Sequence, residues 1–397
     1  MDTDQTCSIP LPHITVDIPD DCPPSFTPYE AEFFHSSDGD VISHDHHLNE
    51  DGEALYRFLL SHSAAYPVHT LYCGGTHQET HTRCVTRTVD GRTTHHTETY
   101  TVTIQDFSFS IDLTDLIVRG PVHWSFADSE PAYRGLMVRQ VQAPEGRRKA
   151  TKEETASFKA WEYERAEKGY PPWASRDGMQ NLDVLQSSQT LRQWADEYCS
   201  SPKYLKEFVY EKFIHNWNMQ ALEKAIRGAI LQTHYRGHVT VDFNLDETKI
   251  FIRADNRLSR TLSKSFIKFL LIIFLVYPFI WLFKRYHSQG GGRWEVCGGA
   301  YALKYTEPAD APEWKSNGDG IRRPSALPRI IQTEHALEKL YGLREGEWFR
   351  LWEAVIKRSV VARLQRSEAM RDVGEGPVDP GQELEGYRPG DVLDGYE

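Results

Sequence analysis

Apolar residues change rhythm several times along this chain, and each rhythm predicts a different element. In "EDGEALYRFLLSH" Leu55, Phe58 and Leu59 recur on one side of a 3.6-residue repeat, which predicts a short helix with Asn49 as its cap. Before it, "YEAEFF" (Tyr29 to Phe34) reads as a strand. From Thr70 to Leu113 threonine, valine, tyrosine and phenylalanine dominate, the composition of strands. Within that stretch Asp90 and Gly91 of "VDGR" predict a two-residue hairpin turn. Such a turn fixes the register: paired residue numbers sum to 181. Cys84 then faces Thr97 and Thr82 faces Thr99 on one side, while Arg83 faces Glu98, His81 faces Tyr100 and Glu79 faces Val102 on the other.

Helical spacing returns over Thr190 to Cys199 and over Pro202 to about Tyr235 (Leu205, Val209, Phe213, Leu222, Ile226, Ile230), with a break near Asn216 to Asn218. Val239, Val241 and Phe243, then Ile250 and Ile252, alternate around "NLDE" and predict a β-hairpin. Further on, Thr333 to Tyr341 and Glu347 to about Met370 read as helices. The second carries a stripe of Phe349, Leu351, Trp352, Val355, Ile356, Val360 and Leu364, most simply packed in the protein's own core, the alternative being a partner-binding or membrane-surface helix.

The strongest single pattern is "FLLIIFLVYPFIWLF", Phe269 to Phe283, fifteen residues without a charge; starting at Phe266 adds only Lys268. A helix of eighteen residues is about 27 Å long, near the roughly 30 Å thickness of bilayer hydrocarbon. Tyr277, Trp281 and Tyr286 suit a membrane interface, and Arg253, Arg257, Arg260, Lys264, Lys268, Lys284, Arg285 and Arg293 flank the run. These features predict a membrane segment over 264–286, the alternative being a buried core helix. Two topologies fit. A true span would act as a signal anchor and place about 110 C-terminal residues across the membrane. A segment kinked or re-entrant at Pro278 would return both flanks to one side.

The expected order is an extended proline-rich leader over 1–28, a β-rich domain over 29–143, a charged linker with one loose helix over 144–180 and a juxtamembrane helix-plus-β-hairpin domain over 181–256. The membrane helix (264–286), a Gly/Pro-rich connector (290–330), a helical segment (331–370) and a disordered acidic tail (371–397) complete it. The fold class is α+β. A formal net charge of -12 argues against nucleic acid as a partner, since no basic surplus exists to displace counterions. The first residues contain no signal peptide and no asparagine begins an N-x-[ST] sequon. Together with the basic excess before the run, these place the N-terminal domain in the cytosol, on an intracellular membrane such as the endoplasmic reticulum.

Candidate chemistry changes this picture little. "CGGTHQETHTRC" gathers Cys73, His77, His81 and Cys84, yet in an extended strand the first three lie about 13 Å apart at each step and Cys84 points to the opposite face. Zinc ligands must converge to about 2.0 to 2.3 Å from one metal, so no zinc site is expected. In "SHDHHLNED" His44 and His46, with Asp40 or Asp51, have the makings of a metal site. His46 with Asp51 and His35 with Asp40 match the H-x4-D spacing of glycerolipid acyltransferases. With 17 histidines about one such match arises by chance, and a polar loop capping the next helix is the simpler reading. Neither a G-x-x-x-x-G-K-[ST] loop nor a G-x-S-x-G elbow nor H-E-x-x-H occurs.

The apolar run followed by "KRYHSQGGGRWEVCGGAYALK" resembles a group of uncharacterised fungal membrane proteins, some labelled ABC transporters, over roughly residues 25 to 305. The resemblance implies a membrane protein and brings no catalytic residues. A transporter would need the phosphate-binding loop and many apolar segments, and neither is in the sequence. The reading that follows is a noncatalytic membrane-anchored adaptor or tether, with membrane lipids and a protein as partners and no catalytic, metal or cofactor residues assigned. The alternative is a lipid-binding protein or lipid-modifying enzyme using the N-terminal domain; a deep pocket lined by several histidines or carboxylates would favour it.

Overall fold

A computed structural model describes residues 29–89, 92–176, 187–309, 328–332 and 337–378. The chain starts with β1 (Phe34–His35), β2 (Val41–Ser43), α1 (His46–Glu50), α2 (Gly52–Ser63) and two long strands, β3 (Val68–Val89) and β4 (Arg92–Asp112). Strands β5 (Arg119–Ser125), β6 (Tyr133–Arg134), β7 (Gln140–Ala143) and β8 (Gly146–Lys149) precede α3 (Lys152–Lys168) and α4 (Leu191–Ser200). Next come β9 (Leu205–His215), α5 (Met219–Gln232), β10 (His238–Asp246), β11 (Lys249–Arg253), α6 (Arg257–Leu262), α7 (Ser265–Ile273) and α8 (Tyr277–Tyr286). Strands β12 (Gly291–Ala302), β13 (Lys304–Pro308), β14 (Arg329–Gln332) and β15 (Leu337–Gly342) lead into α9 (Glu345–Val361).

The α+β class holds, but strands from distant segments share sheets. The main sheet runs β1-β2-β11-β9-β12-β5, with β6 also on β12. It therefore joins strands from 29–143, from 181–256 and from the connector after residue 290. Leu55 and Leu59 of α2 and Trp194 and Tyr198 of α4 bury against its Phe208, Ile250 and Trp294. A second sheet, β10-β3-β4, packs Leu71, Phe107, Phe109 and Val241 against Ile226 of α5 and Trp348, Trp352 and Val355 of α9.

Several elements differ from the sequence expectation. Leu205, Val209 and Phe213 lie on strand β9 and not on a helix, which begins only at Met219. Being central, β9 is buried on both faces, and a doubly buried strand shows no alternation to tell it from a helix. The glycine-rich start of the connector is itself β12, a twelve-residue strand beside β9. A Cβ on Gly298 would sit 2.1 Å from the Glu211 carbonyl oxygen, so glycine there lets the strand approach. Residues 337–342 are a strand where a helix was expected. The segment expected as a linker with one loose helix holds α3, a helix of 17 residues capped at its start by a capping box of Thr151 and Glu154. Asn49 is not a cap: Asp45 caps α1, Asp51 caps α2, and Asn49 is buried within α1. After α9 ends at Val361, the chain runs back along β4, where Ser108 bonds Leu364 and Arg366 and Met370 is buried. Residues 371–378, expected in the disordered tail, follow on that path, with Arg366 paired to Glu375 at 2.6 Å. The leader over 1–28, the Asp90–Gly91 turn and the tail beyond residue 378 lie outside the described residues.

The β3–β4 register is the one the turn dictates: Arg83 faces Glu98, His81 faces Tyr100 and Cys84 faces Thr97. That register holds back to Thr76 opposite Gln105, where a bulge makes Gly75 face Phe107 and leaves Asp106 extra. Beyond β10 the ribbon continues as an arm of two strands.

Two histidines give the fold an acid sensitivity. His69 and His215 are buried, and burial pushes each pKa from 6.5 down to about 4. Between those values the unfolded chain takes up protons that the native state refuses, so stability falls as pH drops from about 6.5 toward 4. At about 1.4 kcal/mol per pH unit, each site contributes on the order of 3 kcal/mol to that loss. Urea unfolding at pH 7 and pH 5 should show a lower midpoint at pH 5, and the difference should shrink in His69→Gln. An unchanged midpoint would mean that neither ring is held neutral.

Candidate functional site

The apolar run folds as an elbow. Helix α7 is nine residues long and α8 ten, about 14 Å and 15 Å by helical rise, and the second is bent by 98° from the first. The break follows from local chemistry. Leu275 takes a left-handed conformation (φ 56°), its N–H donates to the Ile272 carbonyl at 3.1 Å, and the Val276 N–H donates to that of Leu271 at 3.0 Å. These two bonds close α7 as a Schellman motif. Pro278, in the first turn of α8, has no N–H and cannot continue the preceding helix, but it suits a helix start. The expected single membrane helix over 264–286 is thus broken in the middle. Among the described residues no single helix is long and apolar enough to cross a membrane.

Nor is the run a buried core helix. No described side chain from Arg260 to Gln289 is buried, and eleven large apolar residues between Phe266 and Tyr286 are exposed. Phe274 and Phe279, on either side of the bend, are 70% and 72% exposed. An apolar surface this continuous marks a contact with lipid or with another macromolecule.

Both ends of the elbow are fixed to one place on β9. The Ala254 N–H donates to the Lys206 carbonyl at 3.0 Å, and the Leu205 N–H donates to the Gly290 carbonyl at 2.8 Å. Residues 255–289 thus leave and re-enter the body at adjacent residues. They do so because β11 and β12 flank β9, the first antiparallel and the second parallel, so the end of one and the start of the other meet. His44 adds a brace. Its Nδ1 lies 3.1 Å from the Ala254 carbonyl, which can only accept, so Nδ1 carries the proton; burial lowers its pKa, and the neutral Nε2 accepts from the Ser263 hydroxyl at 2.8 Å. Arg253 donates to the same hydroxyl oxygen at 2.9 Å.

Between the elbow and the end of the sheet lies a half-open cavity of about 300 Å³. Lys268 and Lys284 enter it from the two helices, and Arg253, Arg293 and Glu207 from the strands. Arg253 is paired with Glu207 at 2.8 Å and Arg293 with Glu295 at 2.6 Å. Burial alone would raise the Glu207 carboxyl, but Lys284, Arg253 and Arg293 hold it below the usual range. Lys206 touches the cavity too, yet its ammonium is spent on carbonyls of Asn49, Tyr198, Cys199 and Ser201 at 2.9 to 3.3 Å. Gly291 makes room for the Lys284 stem: a Cβ there would lie 2.2 Å from its Cγ.

The residues weighed for chemistry are dispersed. Cys73 is in the core and Cys84 is exposed, while His81 stacks on Tyr100 at 5.7 Å. His77 meets the bulged Asp106 at 2.7 Å, and Tyr235 donates to that carboxylate at 2.7 Å. Burial alone would raise Asp106, but these bonds hold it below the usual carboxylate range, and bonds to Asp106 and then Glu79 raise His77. His46 lies beside Glu50 at 3.3 Å and Asp255 at 3.6 Å, whereas Asp51 caps α2 and stands 3.7 Å from His47. His35 bonds the Gly39 carbonyl, and Asp40 accepts from the Lys249 N–H. A wider hollow of about 770 Å³ over α1 and α2 is lined by His47, Asp51 and His62. Among the described residues no three His, Cys, Asp or Glu side chains are placed to share a metal ion. The basic flanks were visible in the sequence, but Glu207 was missed, because nothing local links it to Lys284 some eighty residues away.

Comparison with protein-family profiles, with curated proteins and with solved structures finds no match to this chain.

Proposed function

We propose that this protein is held at a membrane by the α7–α8 elbow, which enters one leaflet from the side on which the body lies, and that the body serves as a noncatalytic tether or adaptor. One observation carries the reading: an exposed apolar segment whose two ends meet at Leu205 and Lys206. A segment crossing once would separate β11 from β12 by a bilayer, although both pair with β9. Helices of about 14 to 15 Å reach through about half of the hydrocarbon, which fits one leaflet. Between Ala254 and Gly290 six basic residues face a single acidic one, Asp255, so the flanks suit anionic headgroups although the whole chain is acidic. The β3–β4 arm offers a protein partner a polar ladder of Arg83, Glu98, His81 and Tyr100, as a tether requires. The cytosolic face of an intracellular membrane, such as the endoplasmic reticulum, is the expected location.

The reading is tested on intact microsomes with tags at both termini. Digestion of both tags by added protease, with the protein retained through an alkaline carbonate wash, is the expected result. A protected C-terminal tag beside a digested N-terminal one would establish a true span. Release by the wash would remove the integral attachment.

A further inference from the structure

The cavity under the elbow has more positive charge than its own carboxylates balance. Arg253 and Arg293 each have an acidic partner, whereas Lys268 and Lys284 form no ion pair with any described residue. Lys268 instead lies 5.7 Å from the centre of the Tyr277 ring, and the Lys284 stem is laid against Gly291. Two lysines are thus held at a half-enclosed space by aromatic and backbone packing, and the one carboxylate among the lining residues, Glu207, is already paired with Arg253 and offsets their repulsion only in part. Unpaired ammonium groups gathered from two helices and backed by two arginines make a receptor for a compact multivalent anion. The Ser259 hydroxyl on the same wall adds a donor. The cavity lies between the elbow and the sheet, on the inner side of the segment that the membrane reading turns toward lipid.

We infer that this cavity binds a terminal phosphate group, a phosphomonoester carried on a lipid headgroup or on a small soluble molecule, between Lys268 and Lys284. The inference takes its orientation from the membrane reading and would make that attachment selective for lipid type. It differs from attraction by the exposed basic residues Arg257 and Arg285, which respond to surface charge whatever group bears it.

The test uses the full chain, a Lys268→Gln/Lys284→Gln variant and a charge-matched Arg257→Gln/Arg285→Gln variant. Flotation is measured with vesicles of phosphatidylcholine alone, with added phosphatidic acid, and with phosphatidylserine adjusted to the same surface potential. The unaltered protein should prefer phosphatidic acid over charge-matched phosphatidylserine by about tenfold, a difference of about 1.4 kcal/mol. The lysine variant should lose that preference and still bind phosphatidylcholine, while the arginine variant weakens both anionic lipids equally. Equal binding to the two anionic lipids, or a preference that survives in the lysine variant, overturns the inference. Glycerol 3-phosphate separates the sources: abolition of the preference by millimolar competitor means the phosphate alone is read, and persistence means the lipid is needed. Should no vesicle bind, the membrane reading fails. A thermal shift by glycerol 3-phosphate that vanishes in the lysine variant would then still support the phosphate site, and its absence would sink that site too.

Discussion

Replacing Phe274 and Phe279 together with aspartate should abolish binding to phosphatidylcholine vesicles and leave the fold intact. Both side chains are largely exposed, so little packing is lost in water, and surface changes of that kind stay within about 0.5 kcal/mol. In a leaflet the balance is different. Each phenylalanine that enters hydrocarbon contributes about 1.5 to 3 kcal/mol, and an aspartate near the centre of a membrane helix costs about 2.5 to 3.5 kcal/mol. Even with partial immersion the double change is worth several kcal/mol, which is at least about a thousandfold in partitioning. Flotation with a parallel thermal melt checks it. Unchanged flotation would mean the elbow does not carry attachment. A collapsed melting temperature would show that these rings pack in the fold, against their observed exposure.

Trp348→Ala should lower the free energy of unfolding by about 3 to 5 kcal/mol, the range for removing a buried tryptophan. The side chain is 1% exposed at the junction of α9 with the second sheet, 5.8 Å from the Trp217 ring and 6.0 Å from Trp352. Trp217 in turn donates to the Leu343 carbonyl at 2.9 Å, so the cavity left by Trp348 loosens both the helix and its approach. Urea denaturation should show a lower midpoint with little change of slope. A loss below about 1 kcal/mol would detach α9 from the core and return it to the role of a partner-binding helix.

The two experiments divide the molecule along a line that the sequence drew unevenly. Helix α2 was legible because Leu55, Phe58 and Leu59 repeat at 3.6 residues over a one-sided core. The β3–β4 register was legible because a two-residue turn fixes every pair behind it, until the bulge at Asp106, which depends on Tyr235 from elsewhere in the chain. Trp348 was not among the stripe residues assigned to α9, and Leu351, which was, is exposed; neighbouring apolar positions on a helix are separated only by what packs against them. The cavity was half legible. Its lysines and arginines stood out as flanks of the apolar run, but their convergence on Glu207 needed β9 between β11 and β12.

By itself the sequence determined what depends on near neighbours: the apolar run, its basic flanks and the β3–β4 register, with a kink at Pro278 as one of the two readings it left open. These follow from covalent geometry and from hydrogen bonds a few residues apart. The tertiary structure alone decided that β9 is a strand, that strands far apart in sequence share one sheet, and that residues 255–289 leave and return at one point. Strand pairing joins residues without regard to their distance along the chain, and burial on both faces of β9 erases the alternation that would have announced it.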